Sequence, residues 1–342
     1  MDMGMVALYI LLALLSQGNG QQTPFNVVVA QNGSGNFTTI GEAIAAAPNY
    51  SNEKYYIQLK GGFYFESIVV GIEKTNIVLI GEGMRRTRIS GNKSAGGGFD
   101  TVSTSTVGIF GNGFMAQGIT FENSAGPRMN QSVALLAKAD NLTFYKCRFS
   151  GYQDTLYTAE GKQFFRDCIV IGTIDFILGD AAVVFQNCVI LARKPLHGQY
   201  LIITAQQRLT GEENTGTILQ NCTIKATRNL LKEELKFKCY LGRPWGRYSR
   251  VVVLQSFIDS VITPTGWVPW PGEPTNDVFY AEYDNRGPGA NRALRVPWST
   301  VITNVAQASQ FTPRSFLQGG DWIPSSVPRY LDLIQDSTSV LR

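Results

Sequence analysis

CRFSGYQDTLYTAEGKQFFRDCIVIGTIDFILGD, from Cys147 to Asp180, carries most of one unit and all of a second near-copy. The first copy reads FYKCRFSG from Phe144 and the second FFRDCIVIG from Phe164, and a lone acid follows each, Asp154 and Asp175. Those acids are 21 residues apart, as are Cys147 and Cys168. If the period is one coil of a solenoid, equivalent positions stack one strand spacing apart, roughly 4.8 Å. The two carboxylates then face each other.

Other copies lie over these. Phe185–Ile190 reads FQNCVI, Leu219–Ile224 reads LQNCTI and Leu254–Ile258 reads LQSFI, with looser versions at Ile119 (ITFENS) and Ile77 (IVLIGEG). Apolar residues that return in phase between short Asn- and Gly-bearing corners predict an all-β chain, a right-handed parallel β-helix with variable loops. A sandwich of hairpins is the competing fold, but it gives no reason for the cysteine position to recur.

Composition bounds the rest. The 342 residues are 44% apolar and only 16% charged, enough for one large elongated core. A net charge of +4 without any Lys/Arg run argues against a nucleic-acid partner and suits an acidic polymer.

Met5–Leu15 (MVALYILLALL) is too short to span a bilayer and is placed as a signal-peptide core, although a basic head is missing. The expected division is therefore residues 1–20 as signal peptide and 21–342 as a single domain of a secreted chain. Sequons at Asn32, Asn36, Asn49, Asn92, Asn130, Asn141 and Asn221 fit export.

Of five cysteines, four share the repeat position, and Cys188 with Cys222 is the favoured disulfide because successive coils bring those positions within bonding distance. Buried free thiols are the alternative. Thr38 or Thr39 is expected to cap a helix that runs through Ala47, stops at Pro48 and covers the open end of the solenoid. Beyond Trp267 the chain becomes loop-rich, with a helix expected from Ala306 and a short segment after Pro313, packed along the outside.

The only histidine, His197, has no nucleophile elbow with it, and no His/Cys cluster offers metal ligands, so no cofactor or metal is expected. Chemistry then falls to carboxylates, amides and arginine. Two acids so close cannot both ionise easily, and one should keep its proton while the other stays charged. One serves as proton donor, the other as nucleophile or base. Gln153 and Asp154 as a plain polar corner, and Arg243 as a surface ion pair, are the bland readings. Trp245, Trp267 and Trp270 offer faces for sugar rings.

The chain resembles the pectin methylesterases, the carbohydrate esterases that remove methyl groups from pectin. The family's motifs stand here as GFYFES from Gly62, QSVAL from Gln131, GYQDTL from Gly151, DFILG from Asp175 and LGRPW from Leu241. Further matches are NGSGNFTTIGEAI from Asn32, FENSAGP from Phe121, YSRVVV from Tyr248 and FYAEYDNRGPGA from Phe279, so the likeness covers Phe25 to Leu331 in order. The resemblance implies Asp175 as nucleophile on the methyl ester and Asp154 as the acid that protonates methanol, then the base that activates water. It implies Gln131 and Gln153 as oxyanion donors, Arg243 as the clamp on Asp175, and Thr101 and Trp245 as substrate contacts. It further implies methyl-esterified homogalacturonan as substrate, action in the cell wall, a monomer, and a proteinaceous inhibitor as partner.

Departures from the family pattern are Leu178 for the usual Phe, Leu136 for Arg, Ala159 for a common His, and QYLIITAQQR from Gln199 to Arg208. Many members carry an inhibitor-like pro-region, for which this chain is expected to have no room. A glycosidase or lyase on the same polymer, or a catalytically weak or silent pectin-binding solenoid, are the rival functions.

Overall fold

In the computed structural model, which describes residues 25–233 and 237–335, each copy of the repeat closes into one coil of three short strands. Phe165 pairs with Phe144 on one side and Phe185 on the other, in parallel and in register. Among the described residues the coils build three parallel sheets of eleven, seven and eight strands. The molecule is a right-handed parallel β-helix.

The repeat's polar letters make the corner. Lys146, Asp167, Asn187, Asn221 and Gln255 all sit at φ between 51° and 56°, the left-handed region that turns the chain from the eleven-stranded into the eight-stranded sheet. Short polar side chains tolerate that conformation best, which is why Asn recurs there. The residue after each corner points inward, so Cys147, Cys168, Cys188 and Cys222 are buried, and Ser256 takes the fifth place.

The cysteines correct one expectation. Cys188 and Cys222 are not bonded, and all five cysteines are free and buried. Each repeat thiol instead donates to a carbonyl of the preceding coil, Cys188 to Phe165 at 3.5 Å and Cys222 to Phe185 at 3.4 Å. Stacked side chains in the same rotamer lie parallel, whereas a disulfide needs its two Cβ–S bonds turned toward each other.

Beside the thiols runs a phenylalanine stack. Phe144 and Phe165 lie 4.6 Å apart at 13°, and Phe165 and Phe185 4.5 Å apart at 20°. Such pairs contribute about 0.5–1.5 kcal/mol each beyond the area they bury.

The N-terminal end is covered by helix α1 (Ile40–Ala46), capped by Thr39 and ended before Pro48. Glu42 N–H donates to Thr39 Oγ1 at 3.3 Å, and the Thr39 hydroxyl donates to the Glu42 carboxylate at 2.7 Å, which ties the cap to the first turn. Ile40, Ala43 and Ile44 close the core against the first coils.

Three short helices follow the last coil, α2 (Val305–Ser309), α3 (Pro313–Leu317) and α4 (Gly319–Trp322). Phe311, Phe316, Leu317, Ile323 and Val327 cover Tyr145, Phe164, Val184, Ile218 and Val252 on the outer face of the eleven-stranded sheet. Three glutamines then hold the chain that follows. Gln186 exchanges two hydrogen bonds with the Tyr330 backbone, Gln220 donates to Asp332 O, and Gln255 exchanges two with Ile334. A row of carboxamides thus serves alternate residues as a neighbouring strand would.

The proposed signal peptide lies outside the described residues. Among the described residues no helix is long and apolar enough to cross a membrane.

Candidate active site

Position in the coil decides what each polar residue can reach. The loops that enter the seven-stranded sheet carry Gln131, Gln153 with Asp154, and Asp175 on three successive coils. The coils are tied there by Ser132 N donating to Gln153 O at 3.2 Å and Asp154 N donating to Ile174 O at 3.0 Å. Asp154 and Asp175 both adopt the left-handed conformation, at φ 60° and 49°. For residues other than glycine that conformation is sparsely used, and it gathers where function constrains the backbone.

Arg243 arrives from farther along the chain. Tyr157 pairs with Leu178, Leu178 with Ala205, and Ala205 with Arg243, one row along the seven-stranded sheet. Because the step from Leu178 to Arg243 is two coils, only a long side chain returns to Asp175. Arg243 does so with both arms, Nε to Oδ1 at 2.9 Å and Nη2 to Oδ2. Two parallel N–H donors on one carboxylate fix its plane as well as its charge.

These groups face a cleft of about 420 Å³ that Thr101, Gln131, Gln153, Asp154, Asp175, Arg243 and Trp245 all line. The seven residues to which the resemblance assigns catalytic or substrate contacts are all brought to that one place. Neither Gln131 nor Gln153 has a side-chain hydrogen bond to protein among the described residues, so both carboxamides are available to a ligand.

The two acids differ in their surroundings. Asp154 is 6% exposed and Asp175 4%. Burial, reinforced by the neighbouring Asp175 charge, lifts Asp154 well above the ordinary carboxylate range, and Arg243 offsets only part of this. Burial also raises Asp175, but the hydrogen bonds and charge of Arg243 hold it down. Both acids are therefore raised, Asp154 further than Asp175, so Asp154 is the one that holds a proton more readily.

Trp270, expected as a sugar-stacking face, does line the cleft, stacked on Trp245 at 6.3 Å and 20°. Tyr157, tilted against Trp245 at 6.2 Å, was not singled out from the sequence, nor were Asp100 and Val102. Arg243 lies 4.0 Å over the Trp270 ring, a cation–π contact that braces the guanidinium. Asp100 and Val102 form the far rim with Thr101. The register row, one residue per coil on the outward face, was the signal for Tyr157.

Trp267 is a correction. It is 1% exposed and packs edge-on against Tyr280 at 4.9 Å, so it belongs to the core and offers no face to a sugar. Its pairing with Gly242 draws it inward, while Trp270 three residues later returns to the cleft. Among the departures, Leu178 and Ala205 do line the cleft, whereas Leu136 and Ala159 are not part of its wall.

The pectinesterase family model matches residues 26–320. The chain belongs to the pectinesterase family. It is 47% identical over 309 residues to the pectinesterase/pectinesterase inhibitor PPE8B of Prunus persica, with 89% of this chain and 59% of that one covered. To pectinesterase 2 of Citrus sinensis it is 46% identical over 310 residues, covering 90% of this chain and 60% of that one. It thus spans about three fifths of the curated relatives it matches. The solved pectin methylesterase from carrot superposes with a TM-score of 0.90 at 44% identity, over 91% of this chain and 99% of that one.

Proposed function

We propose that this pectinesterase family member hydrolyses the methyl esters of galacturonate units in pectin, giving pectate and methanol. The observation that carries the reading is the pair of buried acids on adjacent coils, one clamped by Arg243 and the other without that clamp and raised further by burial. Membership of the pectinesterase family supports the ester-hydrolysis reading.

Asp175 Oδ attacks the ester carbonyl carbon, and the carbonyl oxygen becomes an oxyanion. The free carboxamides of Gln131 and Gln153 donate to it, and as neutral donors they leave the proton asymmetry of the acids intact. Asp154 gives its proton to the methoxyl oxygen as that C–O bond breaks, and methanol departs. The galacturonyl group is then held as an anhydride on Asp175. Asp154, now a carboxylate, takes a proton from water, whose oxygen attacks the galacturonyl carbon and releases Asp175. Thr101 and the Trp245 and Trp270 faces hold the sugar ring against the acids.

The substrate is methyl-esterified homogalacturonan, met outside the cell after residues 1–20 are removed as a signal peptide. Residues 21–342 act as a single catalytic domain and as a monomer, and a proteinaceous inhibitor seated over the cleft is the partner we expect.

The test is methanol release from highly methylated pectin by the purified chain. Methanol and new carboxylates without new reducing or unsaturated ends support the esterase and exclude a glycosidase or lyase. Asp175→Asn should abolish release, and near-full activity in that variant would overturn the assignment.

A further inference from the structure

A second cavity, of about 580 Å³, opens on the outer face of the eight-stranded sheet. The turn Gly151–Asp154 divides it from the catalytic cleft: Tyr152 lines the second cavity, while Gln153 and Asp154 line the first. Nothing in the esterase mechanism uses it.

Its floor and walls are unusually cationic for a chain with so few charges. Arg148, Arg193 and Lys194 line it against a single carboxylate, Glu122. That carboxylate is already served by Arg88 at 3.6 Å and by Ser90 Oγ at 3.0 Å. Lys194 at the rim is paired with Glu233 at 2.6 Å. Arg193 stacks on the Tyr152 ring at 3.8 Å and donates to Tyr152 OH and Gly151 O. Among the described residues Arg148 makes no ion pair, although the Glu122 charge acts on it from a distance.

Two buried polar atoms of this cavity lack partners among the described residues, Arg148 Nε and Thr227 Oγ1. Leaving such groups unpaired costs free energy that a bound ligand recovers. Burial and the facing Arg88 and Arg193 charges already pull Arg148 below the usual arginine range, so an anion there relieves a standing repulsion.

We propose that this cavity binds the carboxylate of a de-esterified galacturonate stretch, with Arg148 as its principal contact. The hydroxyls of Ser150 and Thr227, with the apolar edges of Pro127, Ile171 and Leu196, suit a sugar ring that carries one acid group. The identity of the ligand rests on the pectin reading above. The site would hold polymer that has already lost its methyl groups while the neighbouring cleft works on esterified units.

The experiment is a calorimetric titration of the full chain with a short, fully de-esterified oligogalacturonate. It is run in a Trp245→Ala background so that stacking in the catalytic cleft does not dominate the heat. Arg148→Gln should weaken binding at least about tenfold. Arg148→Lys should recover part of that loss, and added salt should weaken binding in the parent but little in Arg148→Gln. Lys194→Gln, at the exposed rim, should weaken binding by a smaller factor and decides the matter if Arg148→Gln fails to fold. Unchanged affinity in the folded variants overturns the proposal. So does equal, Arg148-dependent binding of the fully methylated oligomer, because the site would then not read charge. Tighter Arg148-dependent binding of poly-aspartate would point to an acidic protein instead and overturn the sugar assignment. Methanol release is scored separately in the chain with Trp245 intact: activity without Arg148-dependent binding sinks only this inference, and binding without activity sinks only the esterase reading.

Discussion

Asp154 and Asp175 have the same side chain and almost the same burial, so the difference in their titration comes from Arg243, whose hydrogen bonds go to Asp175, and from the Asp175 charge that lifts Asp154. Activity requires Asp175 ionised and Asp154 protonated, and the rate should fall as pH drops through the lower value and again as pH rises through the upper one. Arg243→Ala removes what holds Asp175 down, so the acid limb of the profile should move to higher pH while the overall rate collapses. A pH–rate series checks both. The same burial sets a stability prediction. A carboxyl raised in the folded state binds a proton that the unfolded chain releases above about pH 3.9, so Asp154 subtracts stability as pH rises beyond that value. Asp154→Asn should therefore raise the melting temperature at neutral pH by a few degrees, and the gain should vanish below about pH 3.9, where both states are protonated. At this scale five of the seven site residues were legible in GYQDTL, DFILG and LGRPW, with Gln131 in QSVAL and Thr101 in FDTVST, because the departure at Leu178 leaves each of those positions unchanged. Trp267 was misread because nothing in GWVPW distinguishes the ring that pairs inward from the one that returns to the surface.

The coil itself was legible element by element, since corner, cysteine and inward apolar residue recur in phase. The strands are only three to six residues long around the catalytic coils, so the site depends on the turns between them. Gly172 shows how tightly those turns are built. A Cβ there would meet Phe176 Cβ at 2.1 Å and Thr155 Oγ1 at 2.8 Å, the residues that follow Asp175 and Asp154 directly. Gly172→Ala should therefore displace both acids, lowering kcat by at least about tenfold and stability by about 1–3 kcal/mol, the usual range for overpacking. Kinetics on methylated pectin and a denaturant melt measure the two effects. The disulfide expectation failed at this scale too. Proximity of Cys188 and Cys222 was read correctly from the period, but spacing carries no information on which way two stacked Cβ–S bonds point.

Over the whole molecule, the sequence showed that the C-terminal segment lies along the outside but not how it is held. The carboxamides of Gln186, Gln220 and Gln255 sit mid-repeat, where a polar side chain looks like an ordinary surface residue. Gln186→Leu removes the pair on Tyr330 and leaves Arg166 Nη1 without its 2.6 Å acceptor. It should cost about 1–3 kcal/mol and speed amide exchange at Tyr330 without altering the catalytic rate. Exchange mass spectrometry of that segment against methanol release separates the outcomes. The ladder of unbonded sulfurs has a bearing on how the protein can be made. No disulfide contributes to its stability, so folding needs no oxidant, and production of residues 21–342 in a reducing cytosol should give the same fold as passage through the secretory route. Dithiothreitol should leave the melting temperature unchanged, and Ellman titration should find none of the five thiols until denaturant is added.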